Sequence, residues 1–168
     1  MEANQLPPMN MDTSETKCCP KFNPEGWDGQ TFVFENKLFA KTKTRSFMHF
    51  PLNMGSMYKK FCTKAEKEKA FADDYYLVLS HDPSPWRGEH YFAVEREVSG
   101  EEMVRLSGSY LTKVFEGPYK RVGKWVKEME GYVKSKDKEV KKLYFFYTTC
   151  PKCLKHYGKN YVVAFVEV

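Results

Sequence analysis

Four cysteines pose the sharpest chemical question in the chain. Cys150-Pro151-Lys152-Cys153 sets two thiols either side of a dipeptide, between two stretches that read as strands. In such a hairpin two thiolates converge on one metal, as in a zinc knuckle. A tetrahedral site needs two more ligands, and Cys18, Cys19 and His156 are available. Zinc or another metal is one reading. A redox dithiol is a second, although such pairs usually sit at a helix N-terminus that lowers the thiol pKa. Two reduced, inert thiols are the third. Cys62 falls on the apolar side of a helical pattern and reads as a buried thiol.

The acid–base candidates are Glu116 and His49. Glu116 lies in Phe115-Glu116-Gly117-Pro118-Tyr119, where an extended stretch turns into a helix. A carboxylate there can activate water or pair with a cationic ligand; a solvated turn residue is the plainer alternative. His49 holds the equivalent place in the first half of the chain. It is a partner acid or base, or else a histidine packed under a helix. Aromatic residues supply the binding candidates. They make up 16% of the chain, more rings than a core of this size needs, and surplus Tyr and Trp often line ligand sites. Tyr119, Tyr147 and Trp86 are expected to line a groove, with Trp125 reaching it from the second helix. Tyr91 and Tyr161 are further candidates. For each of these, an ordinary core or surface aromatic is the competing reading. Glu97 and Glu167 sit near strand ends, where edge exposure explains them.

The elements that must position these residues fall into two similar halves. The first runs from an extended stretch at 37–50, ending at Pro51, into a helix with Met54, Met57, Tyr58, Phe61 and Ala65 on one face. Strands at 75–80 and 90–98 follow, joined by a loop over 81–89. The second half has an extended stretch at 104–115, then a helix with Val122, Trp125, Val126, Met129 and Val133 on one face. Pro118 suits helix initiation. Strands at 143–149 and 161–168 complete it. A shift of 68 carries the first helix face onto the second, and Tyr76–Leu79 onto Tyr144–Tyr147; Tyr91 meets Tyr161 at 70, and Pro51 meets Pro118 at 67. Matching order, spacing and apolar register argue for an internal repeat.

The expected fold is therefore α+β: duplicated β-α-β-β units, about 30–98 and 103–168, forming one antiparallel sheet with two helices on one face and a pseudo-twofold axis between them. A groove between the helices would be lined from both copies. Residues 1–17 read as a disordered tail. Residues 18–36 read as an ordered arm packing through Phe22, Trp27, Phe32 and Phe34, so that 18–168 form one domain.

Composition removes several function classes. The net charge is +5, but the lysines alternate with glutamates as on a solvated helix face, which argues against nucleic acid. No apolar run approaches the ~20 residues of a membrane span, and the N-terminus lacks an apolar signal core. These features lead us to expect a cytoplasmic chain; a monomer or homodimer with no organic cofactor is the accompanying expectation.

The stretch Gly108–Trp125, GSYLTKVFEGPYKRVGKW, resembles the signature of the GyrI-like small-molecule-binding domain: a strand, a Gly-Pro-Tyr turn and a helix with an apolar face. The doubled strand-helix-strand-strand order extends the resemblance to residues 30–168. Cys18-Cys19-Pro20 and the Cys150–Cys153 motif depart from the general pattern and suggest a branch described as hydrolases. The resemblance implies a binder of flat, often cationic compounds, or a hydrolase of reactive electrophiles acting in detoxification. In such relatives a buried acid often sits on the third strand of the second copy; here LYFFYTT carries none. The competing functions are a zinc-stabilised interaction module without catalysis and a thiol redox protein.

Overall fold

The computed structural model describes residues 2–9, 22–48, 50–52, 54–148 and 155–168. His49, Cys18, Cys19, Cys150 and Cys153 lie outside the described residues. The elements run β1 (Thr31–Phe47), β2 (Phe50–Pro51), α1 (Met54–Lys67), β3 (Val78–Ser84), β4 (Arg87–Ala93), β5 (Glu102–Glu116), α2 (Val122–Ser135), β6 (Lys142–Tyr147) and β7 (Tyr161–Glu167), with a 3-10 turn at Tyr119–Arg121 leading into α2.

The fold is α+β with both helices on the outer face of the sheet, but the sheet is not an open layer. It closes into an antiparallel barrel of six strands in the order β1-β4-β3-β6-β7-β5, with β5 returning to β1, and β2 is a short appendage on β1. Closure follows from the length of β1. Its 17 residues are enough to pair with β5 along Thr31–Lys41 and with β4 along Phe39–Arg45. A β-bulge between Phe34 and Lys37 breaks the β5 register. Asn36 takes a left-handed φ of 49° there, and both flanking residues, Phe34 and Lys37, are buried. At the opposite side of the ring β3 and β6 are registered at a single pair, Ser80↔Phe145.

Alternation divides the strand residues between the barrel interior and its outer face. Inside lie Phe32, Phe34, Phe39, Leu79, Tyr91, Tyr110, Tyr144, Phe146 and Phe165, all buried. The arm closes one end: Trp27 is buried with its ring about 6 Å from those of Phe22, Phe32, Phe146 and Phe165. Thr112 Oγ1 donates to Trp27 O at 2.5 Å and Asp28 Oδ1 accepts from Val114 N at 2.8 Å, which ties the arm to β5. Residues 2–9, within the stretch read as a tail, run beside β1, where Asn4 N donates to Val33 O and Leu6 and Met9 pack on the core. Lys37 is buried over the Phe34 ring; its Nζ donates to Tyr75 Oη at 2.9 Å, and Tyr75 donates on to Glu95 Oε1 at 2.8 Å.

The helices pack on two separate outer patches. α1 buries Phe61 and Ala65 against Ala40, Val78 and Phe92, while α2 buries Trp125, Met129 and Val133 against Leu111, Phe145, Val162 and Ala164. A 3.6-residue apolar stripe explains both helices, as expected. The β3–β4 region differs from expectation. Residues 81–89, read as a loop from their prolines and glycine, are mostly strand; Pro85 and Trp86 form the tight turn of a hairpin. Pro83 is tolerated because β3 and β4 are registered at Ser84↔Arg87 and at His81↔Glu89 but not between them.

The stacked interior sets the stability. Trp27→Ala is expected to cost about 3–5 kcal/mol by leaving a cavity among four rings. Trp86→Ala, on an exposed hairpin tip, should cost less than about 0.5 kcal/mol. Chemical denaturation followed by circular dichroism compares the two.

Candidate functional site

Ser80 and Phe145 are the registered pair at the β3–β6 seam; Phe145 belongs to the patch under α2, Ser80 to neither apolar patch, and both are buried. On the α1 side of this seam the outer faces of β1, β3 and β4 change from apolar to polar. His90 is 2% exposed, Thr44 3% and Ser80 7%. His90 Nδ1 lies 2.8 Å from Ser80 Oγ and its Nε2 lies 3.0 Å from Thr44 Oγ1. Both ring nitrogens are therefore satisfied in either tautomer, as burial of the ring requires. Burial holds the His90 pKa down at about 4, against a smaller opposing effect of the Glu89 carboxylate. The imidazole is neutral at pH 7, a state in which it can accept a proton. Tyr58 of α1 sets its ring edge-on to His90 at 5.8 Å.

Gly88 makes this cluster possible. A Cβ there would stand 2.6 Å from Thr44 Oγ1, 3.2 Å from His90 Nε2 and 3.3 Å from Asp82 Oδ1. A carboxylate, a hydroxyl and an imidazole nitrogen thus gather round one glycine. On the other side of the seam stand Tyr147 and Tyr119, ring to ring at 5.7 Å, with Phe145 6.0 Å from Tyr147. Burial, then the Asp82 carboxylate and Tyr119, push the Tyr147 phenol above its ordinary pKa. Tyr147 is two residues past Phe145, and Asp82 two residues past Ser80, so they start from opposite ends of an antiparallel seam.

The structure brings together two of the sequence candidates, Tyr119 and Tyr147, and disperses the others. Trp125 is buried under α2, stacked on Phe115 at 5.5 Å. Trp86 is exposed at the β3–β4 turn, edge-on to Phe47. Tyr91 points into the barrel, where Lys142 Nζ donates to its hydroxyl at 3.3 Å. Tyr161 is half-buried at the arm end, its ring 5.8 Å from Phe22. Glu116 is exposed in a hollow of about 260 Å³ that it shares with Pro118, Lys159 and Asn160. Another hollow, of about 340 Å³, lies between α1 and β1 and is bordered by Lys41, Lys43, Lys60, Glu101 and Glu102. Neither hollow includes Ser80, His90 or Tyr147. We place the candidate site at the seam, because there a neutral base, two hydroxyls and a carboxylate gather round Gly88. Among the described residues no group of three or more His, Cys, Asp or Glu is disposed to hold a metal. His156 is exposed, and Cys62 is half-buried on α1.

Sequence reading missed Ser80, Asp82, Gly88, His90 and Thr44. Their signal was alternation: Ser80 and Asp82 on one strand, Gly88 and His90 on the next, with side chains on one face. Reading 81–89 as a loop concealed it.

The chain belongs to the Bacterial hydrolase family, whose model matches residues 9–168. No curated protein matches it. Among solved structures it is similar to an uncharacterized conserved protein from Listeria innocua, at 11% identity and a TM-score of 0.55, covering 83% of this chain and 91% of that one. It is also similar to SAV2435 bound to tetraphenylphosphonium, at 13% identity and a TM-score of 0.46, covering 84% and 93%. The first of these likenesses bears on the fold. No helix among the described residues is long and apolar enough to cross a membrane.

Two predictions follow from the geometry around His90. Between about pH 6.5 and 4 the unfolded chain binds a proton at this residue that the folded chain does not. Stability is therefore complete above pH 6.5 and falls as pH drops towards 4. His90→Asn should flatten that limb of a plot of melting temperature against pH. Gly88→Ala should drive Thr44 and His90 apart and cost about 1–3 kcal/mol, the usual range for overpacking, measured by denaturant titration.

Proposed function

We propose that the chain binds planar hydrophobic or cationic small molecules along the β3–β6 seam and hydrolyses those that carry a reactive electrophilic group. One observation carries this reading: the two helix-covered apolar patches give way at the seam to a strip that combines ring faces with a carboxylate and a hydrogen-bonded Ser–His pair. Tyr58, Tyr147 and Tyr119, each half-buried, offer flat apolar surface, and ring faces attract cations. Asp82 adds a negative charge at one end, the place first given to Glu116.

Membership of a family described as hydrolases supports the reading. So does the likeness of Gly108–Trp125 to the GyrI-like signature. The pairing pattern is consistent with the duplication that likeness implies, since β1-α1-β3-β4 and β5-α2-β6-β7 each bring their first strand beside their last. On this reading the seam runs between the two copies, with α1 and α2 on either side of it, and the ligand groove lies where the repeats meet.

Isothermal calorimetry with acridine orange, a planar aromatic cation, tests the site. Asp82→Asn and Tyr147→Ala should each weaken binding by about tenfold, equivalent to ~1.4 kcal/mol. Glu116→Gln should leave it unchanged. If Glu116→Gln abolishes binding and the seam variants do not, the ligand sits in the hollow beside Asn160 and the seam reading is wrong.

A further inference from the structure

Ser80 and His90 are a hydroxyl and a base in direct contact. All three members of the cluster are buried, Ser80 at 7% exposure, His90 at 2% and Thr44 at 3%. Ser80 faces Phe145 across the seam, whose backbone register is a single pair. His90 lies behind it, held by a second hydroxyl on its far nitrogen. This is the arrangement an activated nucleophile requires: a base within hydrogen-bond reach of the hydroxyl, itself oriented by a third group.

From this geometry we infer that Ser80 is the nucleophile and His90 the general base of an esterase whose substrates are carboxylic esters bearing a flat aromatic group. The inference rests on the seam being the ligand site and specifies the reaction there. Thr44 is the positioning residue. With the proton on Nε2 donated to Thr44 Oγ1, Nδ1 is left to accept from the Ser80 hydroxyl. Ser80 Oγ forms a bond to the ester carbon and its proton passes to His90 Nδ1. The carbon–alkoxide bond then breaks, and the alkoxide leaves as an alcohol with that proton. Water attacks the acyl-Ser80 ester by the same route, releasing the acid and restoring the hydroxyl. One ester and one water give one acid and one alcohol, with no further reactant.

The charged and titratable groups around the pair are Glu89 on β4, Asp82 on β3 and Tyr58 on α1. None of them brings the His90 transition up to neutrality. The reaction should therefore hold its rate from pH 8 down to about 5 and fall only below that, unlike an esterase whose histidine titrates near its ordinary 6.5.

The test uses the full chain with a fluorophosphonate probe, which reacts with activated serines, and with 1-naphthyl acetate as the ester. Peptide mass mapping should place the label on Ser80. His90→Asn should slow labelling by about 100-fold, the usual worth of a general base. Thr44→Val should also slow it, and shift the acid limb of the pH–rate profile upward, which a merely structural role would not do. Ser80→Ala should abolish naphthyl ester turnover while still binding acridine orange. Label on another serine, or naphthyl ester turnover undiminished in Ser80→Ala, overturns the assignment even if the dye binds. Dye binding that ignores every seam variant, alongside normal labelling of Ser80, removes the ligand-site reading instead and with it the flat aromatic substrate class.

Discussion

Pairing of β1 on both of its edges is the constraint from which the rest of the structure descends. A strand of 17 residues offers hydrogen-bonding groups to β5 along its first part and to β4 along its second, with Phe39, Ala40 and Lys41 engaged on both sides. The sheet then has to curve and meet itself, and closure removes the long free edges that an open sheet would expose. A closed sheet also has an inside. Six strands leave room for side chains rather than solvent, and the chain fills it with stacked and edge-on rings capped by Trp27. The helices, excluded from that interior, settle on the outer face over separate patches, and the polar strip at the seam follows from their separation.

Burying a serine, a threonine and a histidine at such a place is costly unless every polar atom is paired. The cluster meets this requirement within itself, through two hydrogen bonds to one ring, and a missing side chain at Gly88 supplies the room. The Gly-Pro-Tyr turn shows the same economy of space. Gly117 takes a φ of 144° with the Trp125 ring 3.6 Å from where its Cβ would be, and its carbonyl accepts from Asn160 Nδ2. One glycine thus makes room for a polar cluster, and the other takes a left-handed turn where the chain enters α2.

Much of this fold could be read from periodicity. Both helices and their buried faces, the two long strands and the packing role of Phe22 and Trp27 were visible as apolar spacing. Closure was not, because alternation says which side of a strand is buried but not whether the last strand finds the first. The site was less legible still. Of the candidates, Tyr119 came from the turn into the second helix and Tyr147 from an aromatic strand, and the two rings lie side by side. The polar half was hidden because Asp82, Pro83, Pro85 and Gly88 carry the local preferences of a loop, and tertiary pairing with β1 and β6 overrides them. Tyr91 and Trp125 looked like ligand contacts because burial and binding demand the same side chains.

The three tryptophans occupy three unlike surroundings: Trp27 sealed among phenylalanines, Trp125 stacked on Phe115 beneath a helix, and Trp86 open to water. Indole emission shifts to longer wavelength as its environment becomes more polar. The molecule therefore carries an intrinsic set of optical reporters. Blue-emitting light comes from the barrel plug and the helix interface, and red-emitting light from the β3–β4 hairpin two residues beyond Ser84.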